Sequence, residues 1–186
     1  MTESRIKNVK RNIIWEFVNR IVSLLLPFIS RTILIYTLGA LYLGLNSLFG
    51  SILTILSLAE LGFGSAMIFS MYEPIAKGRT DEVCALLNLY RKIYRYIGLC
   101  ILGIGIVIMF FLPYIIKGDT PEGINIYVLY FIFLLGTSLS YFLFAYKSSL
   151  LIANQRNDIN SNIGTVLSIL TSIVQILVLI TFKDYY

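Results

Sequence analysis

The chain has 186 residues, 58% of them hydrophobic and only 13% charged, with a net charge of +5 and a mean hydropathy of +0.82. Soluble domains carry about half apolar and a quarter charged residues, so this composition excludes an ordinary soluble domain. The absence of histidine removes the usual metal ligand and neutral-pH base, and two cysteines offer neither a disulfide framework nor a zinc spacing. The basic residues flank apolar runs, which points to membrane topology rather than nucleic acid.

Residues 1–12 are polar and basic, with Arg5, Lys7, Lys10 and Arg11. The first apolar run follows, about 13–38, and contains Glu16, Arg20 and Arg31. It is too long and too charged for a cleavable signal peptide. At about 100° per residue, Asn12, Glu16, Asn19, Arg20, Ser23, Pro27, Ser30 and Arg31 fall within an arc of roughly 120°. One polar stripe therefore runs along an otherwise apolar helix, with two arginines about three turns apart. Pro27 between them is expected to kink the helix and free a carbonyl.

Gly39 to Gly44 reads as a tight turn. The second span runs over about 45–71, with Glu60 inside it and Gly62 and Gly64 expected to loosen its last turns. Residues 73–95 are polar, with Pro74 and Gly78 marking a turn and a helix expected from about Asp81. The third span is about 97–116, the fourth about 124–146 and the fifth about 163–182, with polar connections at 117–123 and 147–162. Each is long enough to cross a hydrocarbon core of about 30 Å. Continuous rather than alternating apolar runs argue for helices and against a barrel.

The predicted fold class is all-α integral membrane, five transmembrane helices in a single transmembrane domain over residues 1–186. With the N-terminus inside, eleven Lys and Arg lie on inner segments and two, Lys117 and Lys183, on outer ones. That bias predicts an N-in, C-out arrangement.

Charge within a membrane is costly and usually faces a bundle interior or a wet cavity. Arg20 and Arg31 read as a cationic track for an anionic substrate, because guanidinium pairs bidentately with phosphate. The competing reading pairs Arg20 with Glu16 at i+4 and lets Arg31 snorkel to the outer interface. Glu60 is expected at a depth similar to Arg20. It reads as a partner of Arg20, as a protonatable site coupled to an ion gradient, or as half of an ion pair locking two helices. Polar stripes Asn46, Ser47, Ser51, Thr54, Ser57 and Gly164, Thr165, Ser168, Thr171, Ser172, Gln175 read first as packing surfaces, with Gln175 the most cavity-like. Tyr90, Arg91, Lys92, Tyr94, Arg95 and Tyr96 read as interfacial anchors to anionic lipid. No phosphate loop, no nucleophile with a base and no metal cluster is legible, so neither an enzyme nor a cofactor is expected.

Pro27-Phe28-Ile29-Ser30-Arg31-Thr32-Ile33-Leu34-Ile35-Tyr36 with Leu38-Gly39 and Tyr42-Leu43-Gly44-Leu45 resembles the first hairpin of polysaccharide flippases. Leu58-Ala59-Glu60-Leu61-Gly62-Phe63-Gly64-Ser65-Ala66 and Leu151-Ile152-Ala153-Asn154-Gln155-Arg156 extend the resemblance over essentially the whole chain. The family is the Wzx-type O-antigen and capsule flippases, polysaccharide biosynthesis proteins of the multidrug/oligosaccharidyl-lipid/polysaccharide exporter superfamily. The resemblance implies a multi-pass protein of the bacterial inner (plasma) membrane. Such a protein moves undecaprenyl-diphosphate-linked oligosaccharide by alternating access, with polysaccharide polymerase and assembly proteins as partners. It implies that Arg20 and Arg31 meet the diphosphate. Family members have twelve to fourteen helices, so five spans correspond to an incomplete N-terminal lobe of a MATE-like transporter, and a fragment is the expectation. Another exporter of the superfamily (teichoic acid, peptidoglycan precursor or multidrug) and a non-transporting membrane scaffold are the alternatives.

Overall fold

The computed structural model describes residues 2–60, 62–118, 121 and 124–182, with the side chains of 2–16, 18, 59 and 182 outside the description. These residues form seven α-helices and no strand: α1 Thr2–Leu38, α2 Ala40–Ser57, α3 Phe63–Ala76, α4 Thr80–Ile115, α5 Ile126–Leu143, α6 Ala145–Ala153 and α7 Asn157–Phe182. Five stretches are long and apolar enough to cross a membrane: Asn19–Leu38, Ala40–Ser57, Thr80–Ile115, Ile126–Leu143 and Asn157–Thr181. Large apolar side chains stand exposed along them, among them Leu24, Phe28, Ile55, Phe110 and Leu177. In water such a surface would aggregate; in lipid it is the outer face of a multi-pass helical membrane protein.

The chain divides into two compact units, one built on α1 and α7 and the other spanning Gly44–Gln155. In the first, α1 packs along α7. Among the described residues Leu34 and Leu179 are its buried apolar ones. α1 runs unbroken through Pro27. A proline has no N–H to offer the carbonyl four residues earlier, so the Ser23 carbonyl lacks that usual helical donor.

In the second unit α4 is the central element, packed on α3, α5 and α6. Its buried residues are Tyr90, Tyr94, Gly98, Ile101, Gly105 and Leu112, a spacing of three, four or seven that keeps one helical face inward. Phe49 of α2 meets Tyr130 of α5 edge to face, with centroids 5.4 Å apart.

The expected second span, 45–71, is not one helix. α2 ends at Ser57, a 3₁₀ turn covers Leu58–Glu60, and α3 starts at Phe63. Gly62 holds φ at 96° immediately before α3, a left-handed conformation that costs other residues roughly 1–2 kcal/mol. The loosening expected from the glycines is therefore a full break, and Glu60 sits on it. The polar connection expected at 147–162 also differs, since its first half is the helix α6, separated from α5 only at Phe144.

Candidate functional site

The polar stripe of α1 meets that of α7. Asn19 Nδ2 donates to Asn162 Oδ1 at 3.0 Å, tying the two helices together. Beside this bond lies a cleft of about 300 Å³ lined by Asn19, Arg20, Val22, Ser23, Ser161, Gly164, Thr165 and Ser168. Small residues on α7 keep the helices close yet leave room in front of Arg20. Ser23 Oγ donates to the Arg20 carbonyl at 2.8 Å, and Thr165 Oγ1 to the Ser161 carbonyl at 3.0 Å. Among the described residues Arg20 and Arg31 have no carboxylate partner. The cleft thus presents an exposed guanidinium beside serine and threonine side chains; the guanidinium is suited to an anion and the hydroxyl oxygens can accept from its polar substituents.

The other expected residues are distributed as follows. Arg31 lies on the same face of α1, about three turns beyond Arg20; it is exposed and outside the cleft. Glu16 lies on α1 one turn before Arg20, with its side chain outside the described residues. Gln175 is exposed on α7, two turns past Ser168, and does not line the cleft. The stripe on α7 was expected to serve packing; Gly164, Thr165 and Ser168 serve both packing and cleft.

Glu60 belongs to the second unit and has partners there. Tyr94 OH donates to Glu60 Oε1 at 2.8 Å. Tyr141 also reaches Glu60 and Ser57, and Ser149 reaches Tyr94. The two tyrosine rings are 6.2 Å apart and both are buried. A Cβ on Gly64 would lie 3.9 Å from Glu60 Oε1 and 3.6 Å from Tyr94 OH, so the carboxylate faces the first turn of α3. There the helix dipole favours negative charge. Hydroxyls from α4 and α5 and the α3 terminus converge on one acid at a break between helices.

This network corrects the reading of Tyr90 and Tyr94 as interfacial anchors. Tyr94 is only 2% exposed and Tyr90 5%. Tyr90 OH pairs with Ser70 Oγ and lies 3.4 Å from the Met67 carbonyl. Only Arg91, Lys92, Arg95 and Tyr96 remain exposed. The signal that would have separated them is the α4 spacing Tyr90, Tyr94, Gly98, Ile101, which places these tyrosines on the buried face.

At the α3–α4 turn, Lys77 Nζ lies 2.7 Å from Glu73 Oε1, Arg79 Nη2 3.0 Å from the same oxygen, and Arg79 Nη1 2.7 Å from Glu82 Oε1. The Lys77 hydrogen bond, and then the Arg79 charge, hold the Glu73 carboxyl below its ordinary value. A depressed folded value gives a contribution present above the unfolded pKa and lost as pH falls through the folded one. Lys77→Ala should raise the Glu73 titration midpoint toward that of a free carboxylate, read by carbon-detected NMR in detergent. An unchanged midpoint would refute the assignment.

No family model, curated protein or solved structure matches this chain.

Proposed function

We propose that this chain is part of a flippase for lipid-linked oligosaccharide, of the Wzx type that its sequence resembles. In this reading the chain forms the N-terminal lobe, lies in a bacterial inner membrane with its N-terminus inside, and uses Arg20 to meet the anionic diphosphate head. The observation that carries it is the cleft itself: an arginine without a carboxylate partner among the described residues, facing hydroxyl-bearing α7 across about 300 Å³ within membrane-length helices. Arg31, three turns further along the same face, becomes a second contact as the head crosses the bilayer.

The test is made in the chromosomal gene of the host. Arg20→Ala should lower surface polysaccharide about tenfold to a hundredfold, the loss expected for a hydrogen bond to a charged group. Lipid-linked precursor should accumulate at the cytoplasmic face. Arg20→Lys should keep part of the output, because the charge remains and the bidentate geometry is lost. Membrane abundance is matched by immunoblot. Equal output from wild type and both variants would overturn the proposal and favour a scaffold.

A further inference from the structure

Two cations approach one aromatic ring from two different helices of the second unit. The Arg91 guanidinium carbon of α4 lies 5.9 Å from the centroid of Tyr146 on α6, and Lys147 Nζ lies 5.9 Å from the same centroid. Both cations are exposed, as is Arg95, one turn further along α4. The face of a tyrosine attracts a cation, but it does not cancel two full positive charges that share one ring.

The described acids of this unit are committed elsewhere. Glu60 accepts from Tyr94, and Glu73 and Glu82 both engage Arg79. Asp81 lies ten residues before Arg91 on the same helix, about 15 Å away along its axis. The group therefore carries a net positive charge with no internal counter-ion among the described residues.

Its depth follows from the elements that carry it. The apolar run of α4 begins at Ile97, six residues after Arg91, about 9 Å along the helix. The apolar helix α5 ends at Leu143, four residues before Lys147. Arg91 thus stands just before the apolar stretch of α4, and Lys147 just past the apolar helix α5, at the level where lipid phosphates lie.

We propose that Arg91, Lys147 and the Tyr146 ring form a binding site for the phosphate of an anionic phospholipid. Arg91 donates to two phosphate oxygens, Lys147 supplies a point charge, and the Tyr146 ring packs against the glycerol backbone. Arg95 adds positive field from the next turn. The site is built wholly from residues of the second unit and does not rest on the flippase reading.

Native mass spectrometry of the full chain in detergent tests it, with phosphatidylglycerol, phosphatidylcholine and inorganic phosphate as separate probes. Phosphatidylglycerol should be retained and phosphatidylcholine released, with millimolar inorganic phosphate failing to displace the lipid. At about fivefold per surface cation, Arg91→Gln/Lys147→Gln should weaken phosphatidylglycerol binding about thirtyfold, and Lys147→Gln alone, at an exposed side chain, about fivefold. Arg91→Lys/Lys147→Arg should retain most of the affinity. Equal retention of the two lipids, or unchanged affinity in the glutamine variants, would overturn the site. Displacement by inorganic phosphate would assign it to free phosphate and overturn the lipid source.

Discussion

Gly105→Leu is expected to destabilise the second unit by about 3 kcal/mol, at the upper end of what overpacking costs. α4 packs against α5 here. A Cβ at Gly105 would overlap the Leu134 methyls, and Leu134 is fully buried with no room to retreat. Seven residues earlier on the same face, a Cβ at Gly98 would stand 3.2 Å from Tyr141 Cβ and 3.3 Å from Phe142 Cζ. Small residues at such a crossing let backbones approach where lipid supplies no hydrophobic drive. Gly103 on the same helix has nothing within 4 Å of its hypothetical Cβ, so Gly103→Ala should be neutral or stabilising by about 0.5–1 kcal/mol. Thermal melting in detergent, followed by circular dichroism, reads the difference. Leu134→Ala in the Gly105→Leu background should recover part of the loss by restoring space. If Gly105→Leu and Gly103→Leu melt together, the crossing is not where the packing places it.

The five spans were legible because hydropathy over about 20 residues reports depth in a membrane directly. The backbone within a span is another matter. Leu58, Leu61, Phe63 and Met67 keep the second run apolar, so the run reads through to about residue 71. Hydropathy does not register that Gly62 adopts φ 96° and resets the helix. Gly62 and Gly64 hinted at it, but two glycines near a span end are equally consistent with a frayed terminus. α6 escaped notice for the opposite reason: Lys147, Ser148 and Ser149 made the segment look like a loop, while Leu150 to Ala153 complete a short helix whose Ser149 and Ala153 are buried.

The site was legible to the extent that it is local. Asn19, Arg20 and Ser23 share a face by helical periodicity alone, and that face does border the cleft. Which stripe it would meet was not written in α1. Gly164, Thr165 and Ser168 were visible as a stripe, yet assignment to packing or to cavity depends on how closely α7 approaches, which is a tertiary fact. The Glu60–Tyr94 bond joins residues 34 positions apart. It needs both the break after α2 and the inward face of α4, neither of which a one-dimensional pattern supplies.

That bond carries the second large effect. Glu60→Leu should cost about 2–3 kcal/mol, because it removes the carboxylate acceptor of Tyr94, a residue only 2% exposed, and hydrogen bonds to charged groups contribute about 1.5–3 kcal/mol. Tyr94→Phe should cost a similar amount, since the carboxylate then keeps only Tyr141 and the start of α3. Glu60→Gln separates hydrogen bonding from charge. It retains an acceptor for Tyr94 and loses only the helix-terminus interaction, about 0.3–1 kcal/mol. The double-mutant cycle of Glu60→Leu and Tyr94→Phe should show coupling of about 1.5–3 kcal/mol; near-zero coupling would mean that the break is held by backbone and packing alone. The sequence expectation that Glu60 pairs with Arg20 makes a competing demand on the same variants. A charge swap between the two should restore the stability lost in the single mutants only if they pair. An acid already served by a buried tyrosine and the start of a helix has little need of a cation, so Glu60–Tyr94 coupling should exceed Glu60–Arg20 coupling.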